Sequence, residues 1–272
     1  MILELLEYCL TPAPTLARKL GFLRSSLQVR SRYLRCRNAW EPHLQQTRNA
    51  LLETVEACTS RRTVVVLGAG LLHDIPLEAL ASAFQRVLLV DAVHTLAARF
   101  ASHHFSNVHR ITADVTGCAA YLKEARNPKT PLPQSIPALL LEDTSIDLIL
   151  SVNLLSQLGW IPGQILDGFR TEEEIDAFKS HLIRAHLDYL RRLPGRTALI
   201  TDFTWSRYPS ATARREPLSR WSVLQEVRLP PPTRTWDWEI APAPEKEKGV
   251  DWVAHVAFFT DWKRAGEESN LA

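Results

Sequence analysis

Between residues 61 and 202 short, wholly apolar runs alternate with longer mixed ones. Val64-Val65-Val66-Leu67 and Val87-Leu88-Leu89-Val90 contain no polar position, the pattern of strands buried on both faces rather than half-exposed ones. The pattern predicts strands at Thr63–Leu67, Val87–Asp91, Val108–Thr112, Ile146–Val152 and Thr197–Asp202. Helices are predicted between them at about Pro76–Phe84, Ala92–Ser102 and Thr171–Leu193, the last opened by a capping box of Thr171 and Glu174. Strands and helices in alternation imply a parallel sheet covered on both faces.

The two ends differ from this middle. Leu16, Leu20, Leu23 and Leu27 follow helical spacing, and Leu44, Leu51, Leu52 and Val55 mark a second helix entered after Pro42. Near the other end Thr235-Trp-Asp-Trp-Glu-Ile240 alternates, a polar Pro/Glu/Lys stretch follows, and Asp251 to Thr260 is again strand-like, which reads as an antiparallel hairpin with a long loop. The fold class is therefore α/β: a Rossmann-like, mostly parallel sheet with an antiparallel C-terminal hairpin, plus an N-terminal helical cap. The cap is assigned to residues 1–60 and the sheet domain to 61–272.

Composition narrows the class. With 46% hydrophobic residues in 272, a large core is available and a disordered chain is excluded. Thirty-two basic against 30 acidic side chains leave +2, too balanced for a protein that works as a polycation. Apolar runs stop short of a membrane span; Leu139–Leu141 meets Glu142 and Asp143 at once. Glu4 and Glu7 interrupt the first ten residues and no basic leader precedes them, so the expected start is Met1 and the expected location the cytoplasm. Cys9, Cys36, Cys58 and Cys118 are too scattered for a zinc site and read as reduced thiols; no metal is expected.

The chemistry begins where the first strand ends, at Gly68-Ala69-Gly70. Glycines there let a ligand approach the backbone, and the next helix start presents free N–H groups, as at a nucleotide-like cofactor; a plain chain reversal is the alternative. Asp91 closes the second strand 23 residues after Gly68, placed either to accept both hydroxyls of a ribose or to cap the following helix. Asp114, just past the third strand, repeats the arrangement, with loop capping as its alternative.

The succession Val64–Gly70, Val87–Asp91, Ala113-Asp114-Val115 and Ile146–Asn153 resembles the class I S-adenosylmethionine-dependent methyltransferases over about residues 60–202, and the trailing hairpin is similar to the reversed final strand of that fold. The resemblance implies S-adenosylmethionine as cofactor. It implies that Gly68 and Gly70 line the methionine part, that Asp91 holds the ribose, and that Asp114 with Val115 contacts the adenine, with Ala69 and Ala92 also among the cofactor-binding residues. Asn153 and Leu154 would sit beside the transferable methyl. Two positions depart from the family pattern: Val66 stands where an acid is usual and Leu72 where a third glycine is usual. A nicotinamide motif would need glycine or alanine where this chain has His73. The reading is thus a methyltransferase for a small, apolar or aromatic acceptor; the alternatives are a non-catalytic cofactor-binding protein of this fold and an NAD(P)-dependent oxidoreductase.

On the substrate side no catalytic residue is legible. Asp202, closing the fifth strand, is either a general base or a turn cap. Trp160, and Phe169 beside it, either cover an acceptor or pack against the fold. Ser156 and Gln157 belong to the site or to the turn after the strand, and His103 and His104 fit the end of their helix better than catalysis. Between Arg18 and Arg37 seven basic residues occur without an acid, among Phe22 and Tyr33 and followed by Trp40: an RNA-binding patch, an anchor for an anionic small substrate or, more simply, a solvated helix face. Six of eight tryptophans, Trp205 among them, lie beyond Thr201, which assigns them to packing the reversed strands or to an aromatic acceptor wall.

Overall fold

In the computed structural model, which describes residues 2–134, 137–210, 216–225 and 227–265, the apolar runs lie at the centre of one sheet. Strands β1 (Thr63–Leu67), β2 (Arg86–Asp91), β3 (Val108–Thr112), β4 (Ile146–Val152) and the first half of β5 (Arg196–Pro209) are parallel, in the spatial order 3-2-1-4-5. Beyond them come β6 (Ser219–Ser222), paired with β5, and β7 (Arg234–Ala241) and β8 (Val250–Phe259). Strand β8 inserts antiparallel between β5 and β7, so the sheet ends reversed.

Because side chains alternate along a strand, each central strand feeds two cores. Val64 and Val66 pack with the long helix α3 (Phe22–Glu56), which follows α1 (Ile2–Leu10) and α2 (Thr15–Leu20), and with α4 (Leu77–Ala83). Val65 and Leu67 pack on the other face with α6 (Trp160–Leu166) and α7 (Glu172–Arg192), while α5 (Leu96–His103) bridges β2 and β3. The first 60 residues therefore share a core with the sheet through Trp40, Leu44, Leu51 and Val55.

Several elements differ from the sequence pattern, each for a physical reason. Pro42 does not begin a second helix; it lies inside α3, whose helical geometry breaks upstream at Cys36 (φ −104°, ψ 17°). The proline ring crowds the carbonyl of Asn38 and offers it no N–H, and the helix yields on that side. Helix α5 starts at Leu96, later than Ala92, because the Thr95 hydroxyl accepts the Ala98 N–H and caps it. Helix α6 occupies what reads as a loop: Pro162 falls in its first turn, where N–H groups have no intrahelical partner anyway. Strand β5 runs past Asp202 to Pro209 through a bulge between Asp202 and Thr204, since β6 and β8 both pair with its extension. The capping box at Thr171 and Glu174 is present.

Trp236, Trp238 and Ile240 share one face of β7, as alternation requires, and that face meets α3. The buried Trp40 stands edge-on to Trp238 (centroids 4.8 Å apart) and its Nε1 donates to the Ile240 carbonyl at 3.0 Å. Replacing Trp40 by Phe keeps the ring but leaves that buried carbonyl unpaired, so a loss of about 1–3 kcal/mol is expected in urea unfolding.

Candidate functional site

The sheet order reverses between β1 and β4, and a cavity opens there at the carboxyl ends of the strands, roofed by α3 and the start of α6. Its floor is the glycine turn. Gly68 has φ +89°, and a Cβ there would stand 2.7 Å from the Val152 carbonyl oxygen. A Cβ on Gly70 would meet the Val93 carbonyl at 2.8 Å and the Asp91 carboxyl at 2.9 Å. Leu72, at the third-glycine position, keeps the left-handed backbone (φ +60°) without being glycine. Val66 is wholly buried in the apolar cluster it shares with α3, where a carboxylate would lose its hydration.

Asp91 is tied to this turn rather than to a helix. Its Oδ2 accepts the Gly70 N–H at 2.8 Å and its Oδ1 the Val93 N–H at 3.1 Å, while Thr95 caps α5. Each oxygen keeps a lone pair for a ligand. Burial pushes its carboxyl up to about 6 against the pull of these N–H groups. Asp91 lines the cavity together with Gly68, Gly70, Ala92, Asp114, Val115, Asn153 and Leu154; Ala69 instead turns into the core and is fully buried. Asp114 also caps its own loop, with Oδ1 accepting from the backbone and hydroxyl of Thr116 and Oδ2 from the Ala119 N–H at 2.8 Å.

Asn153 leaves β4 in the left-handed conformation (φ +48°) and enters a polar chain that spacing did not reveal. Its amide contacts Asp74 Oδ2 at 2.7 Å and His43 Nε2 at 3.2 Å, and the Trp236 indole donates to His43 Nδ1 at 3.0 Å. The His43 ring lies flat on Trp238, 4.1 Å between centroids, and burial lowers its pKa to about 3. His43, Asp74 and Trp238 all line the cavity. The only advance sign of Asp74 is a carboxylate four residues past Gly70; for Phe22, Ser25 and Ser26, which line the cavity from α3, periodicity does not say which face covers the sheet edge.

The substrate-side residues separate. Trp160 lines the cavity mouth and is 60% exposed. Gln157 lines it too, donating to the Asn153 carbonyl at 2.7 Å. Asp202 and Trp205 are not part of this wall: Asp202 is buried at the β5 bulge, accepting from Ser156 Oγ and, at 2.6 Å, from Trp205 Nε1. Trp205 belongs to an outer cluster with Trp221 and Trp252, over which the Lys246 ammonium lies 4.7 Å from the Trp205 ring and 4.1 Å from the Trp252 ring. His104 packs edge-on to Phe100, and Phe169 under the Arg126 guanidinium, both away from the cavity. In the arginine stretch, Arg18 binds the carbonyls of Tyr8 and Thr11, Arg30 pairs with Glu7, and Arg32 and Arg35 pair with Glu245. The four cysteines are free thiols. Among the described residues, no helix is long and apolar enough to cross a membrane.

No family model and no curated protein matches the chain. Among solved structures it is similar to the N-methyltransferase NodS from Bradyrhizobium japonicum in complex with S-adenosyl-L-homocysteine, at 11% identity over 79% of this chain and 86% of that one, with a TM-score of 0.35. It is also similar to the 1,6-didemethyltoxoflavin-N1-methyltransferase of Burkholderia thailandensis, at 13% identity over 92% of each chain, with a TM-score of 0.36.

Proposed function

We propose that the chain is an S-adenosylmethionine-dependent methyltransferase acting in the cytoplasm on a small-molecule acceptor, with residues 1–60 capping the site. The observation that carries this reading is the Asp91 carboxylate held against the Gly70 N–H in a cavity at the switch point of a sheet whose far end is reversed. In the dinucleotide-binding order a sixth strand continues parallel; here β8 turns antiparallel, and His73 replaces the last glycine of that motif. Both features favour the methyltransferase reading over an NAD(P)-dependent oxidoreductase.

The residues present fit the cofactor. The two glycines leave space that a Cβ would fill, and Asp91 has a free lone pair on each oxygen for a ribose diol. Gly68 and Gly70 would hold the methionine part, Asp91 the ribose, with Ala92 beside it in the cavity wall, Asp114 and Val115 the adenine, and Asn153 and Leu154 the methyl end. When bound, S-adenosylmethionine supplies an electrophilic methyl, the acceptor lone pair bonding to carbon as the carbon–sulfur bond breaks and its electrons leave on the thioether. The chain's own part is to align the acceptor and exclude water, for which the apolar Leu158, Ile161 and Trp160 wall is suited.

Calorimetric titration with S-adenosylmethionine and NADH tests the reading. Expected is binding of the first alone, weakened about 100-fold or more in Asp91→Ala through two lost charged hydrogen bonds. NADH binding without S-adenosylmethionine binding would overturn it. Affinity is also expected to fall as pH drops through about 6, because the protonated Asp91 has lost acceptor capacity; the limiting slope is about tenfold per pH unit. Labelled cofactor supplied to a cell extract should label the small-molecule fraction. Label in RNA would change the acceptor class, and binding without any transfer would leave a cofactor-binding protein.

A further inference from the structure

The chain Trp236–His43–Asn153–Asp74 has a hydrogen count that closes in one way. An indole nitrogen only donates, so His43 Nδ1 must accept from Trp236 and the neutral imidazole carries its hydrogen on Nε2. The stacking of His43 on Trp238 and its complete burial hold the ring in place. Nε2–H then faces the Asn153 amide at 3.2 Å, and a donor there must meet an oxygen. Amide nitrogen and oxygen are distinguished only by such networks. With the amide turned so that its oxygen faces His43, that oxygen also lies 2.7 Å from Asp74 Oδ2, a distance two bare oxygens do not share. A hydrogen on Asp74 completes the chain: indole to imidazole, imidazole to amide oxygen, carboxylic acid to the same oxygen. With Asp74 ionised, one orientation of the amide sets two donors face to face and the other sets two acceptors face to face.

Charge leads to the same place. Among the described residues no ion pair reaches Asp74. Arg48, whose charge acts on it, gives its hydrogen bonds to Glu41, Gln45 and the His73 carbonyl, and the adjacent His73 is stacked on Tyr33 and held neutral by burial, its pKa lowered to about 4. Burial pushes the Asp74 carboxyl up. Asp74 nevertheless lines the cavity beside Asn153, so a ligand cation is able to supply the partner that the protein does not.

Resting on the methyltransferase reading, we propose that Asp74 is the group that takes the proton from an amine acceptor: the network is built for the carboxylic acid, and the acid ionises only against an incoming ammonium. Entry of R–NH3+ exchanges the Asp74 proton to solvent and forms an ion pair. One N–H bond then breaks, its electron pair staying on nitrogen as the lone pair, and the proton bonds to a carboxylate oxygen. The result is a neutral amine beside the carboxylic acid, the state in which the hydrogen count closes. An ammonium itself has no lone pair, and its charge would repel a sulfonium in the same cavity.

The test uses the full chain and Asp74→Asn, which copies the carboxylic acid by presenting an N–H to the Asn153 oxygen. Infrared difference spectra at neutral pH should show a protonated-carboxyl band in wild type that Asp74→Asn lacks, and nitrogen NMR should place the His43 hydrogen on Nε2. Benzylamine or methylamine, added with S-adenosylhomocysteine, which lacks the sulfonium charge that drives the ammonium proton across, should stop at the ion pair and bleach that band, and benzyl alcohol should not. Methyl transfer to the amine probes should fall about 100-fold or more in Asp74→Asn, with cofactor affinity within about twofold of wild type. An absent band, a His43 hydrogen on Nδ1, a band indifferent to both amines, or full turnover by Asp74→Asn would each overturn the proposal. Should wild type bind neither S-adenosylmethionine nor S-adenosylhomocysteine, the methyltransferase reading falls by that result, while band and tautomer still decide where the proton lies.

Discussion

Gly68→Ala is expected to destabilise the fold by about 2–5 kcal/mol and to abolish cofactor binding in whatever remains folded. Two costs add. The left-handed backbone, φ +89°, is disfavoured for any residue with a Cβ by about 1–2 kcal/mol. The new methyl would also stand 2.7 Å from the Val152 carbonyl and 3.2 Å from Leu154 Cβ, and forced overpacking of this kind costs about 1–3 kcal/mol. The carbonyl has no easy way to give, because Val152 is the last residue of β4 and pairs with Ile200 of β5. Gly21→Ala is the matched control: its φ is +91°, yet nothing lies within 4 Å of the added Cβ, so only the backbone cost of about 1–2 kcal/mol should appear. Urea midpoints of the two variants, with calorimetry for S-adenosylmethionine, separate strain from collision. Equal losses would mean that β4 yields freely and that the turn is not a rigid cradle.

Asp202→Ala should cost about 2–6 kcal/mol while leaving methyl transfer per folded molecule near the wild-type value. The carboxylate is 4% exposed and satisfies both Ser156 Oγ–H and Trp205 Nε1–H; its removal leaves two donors stranded, each worth about 1–3 kcal/mol. Asp202→Asn keeps one acceptor and should lose less. The pH dependence has a definite sign. Burial raises the Asp202 carboxyl, so the native state holds a proton that the unfolded chain releases; the corresponding stability is present at acid pH and disappears as pH rises through the folded value. The gap between wild type and Asp202→Asn should therefore narrow toward high pH in denaturant titrations. A large loss of turnover in folded Asp202→Ala would restore Asp202 to the catalytic role that its place at a strand end invites.

The contrast between Asp91 and Asp202 shows how far strand-end position carries an argument. Both close a parallel run, and both look like site acids. Asp91 follows a strand that stops, so its side chain meets the glycine turn and the cavity. Asp202 lies in a strand that continues for seven more residues, because β6 and β8 supply partners for its backbone, and the bulge turns the carboxylate into protein. Polar alternation is too weak in Phe203–Pro209 to announce the extension, and β6, four residues long, carries no strand signal of its own. The tryptophans divide in the same way: Trp236 and Trp238 share a face as period two demands, but whether that face meets α3, solvent or a ligand depends on a helix some two hundred residues earlier.

By itself the sequence determined the parallel centre of the sheet, its glycine turn and the acid beside it. Runs without polar residues have one low-energy use, burial on both faces, and a strand end followed by glycine leaves the backbone little else to do. Only the tertiary structure decided which polar groups face one another. His43, Asp74, Asn153 and Trp236 are far apart in the chain and ordinary in composition; their meaning comes from hydrogen-bond directions and from the burial of His43 and Asn153. Periodicity is a property of one element, whereas a proton count belongs to atoms that α3, the loop after β1, the end of β4 and β7 bring together.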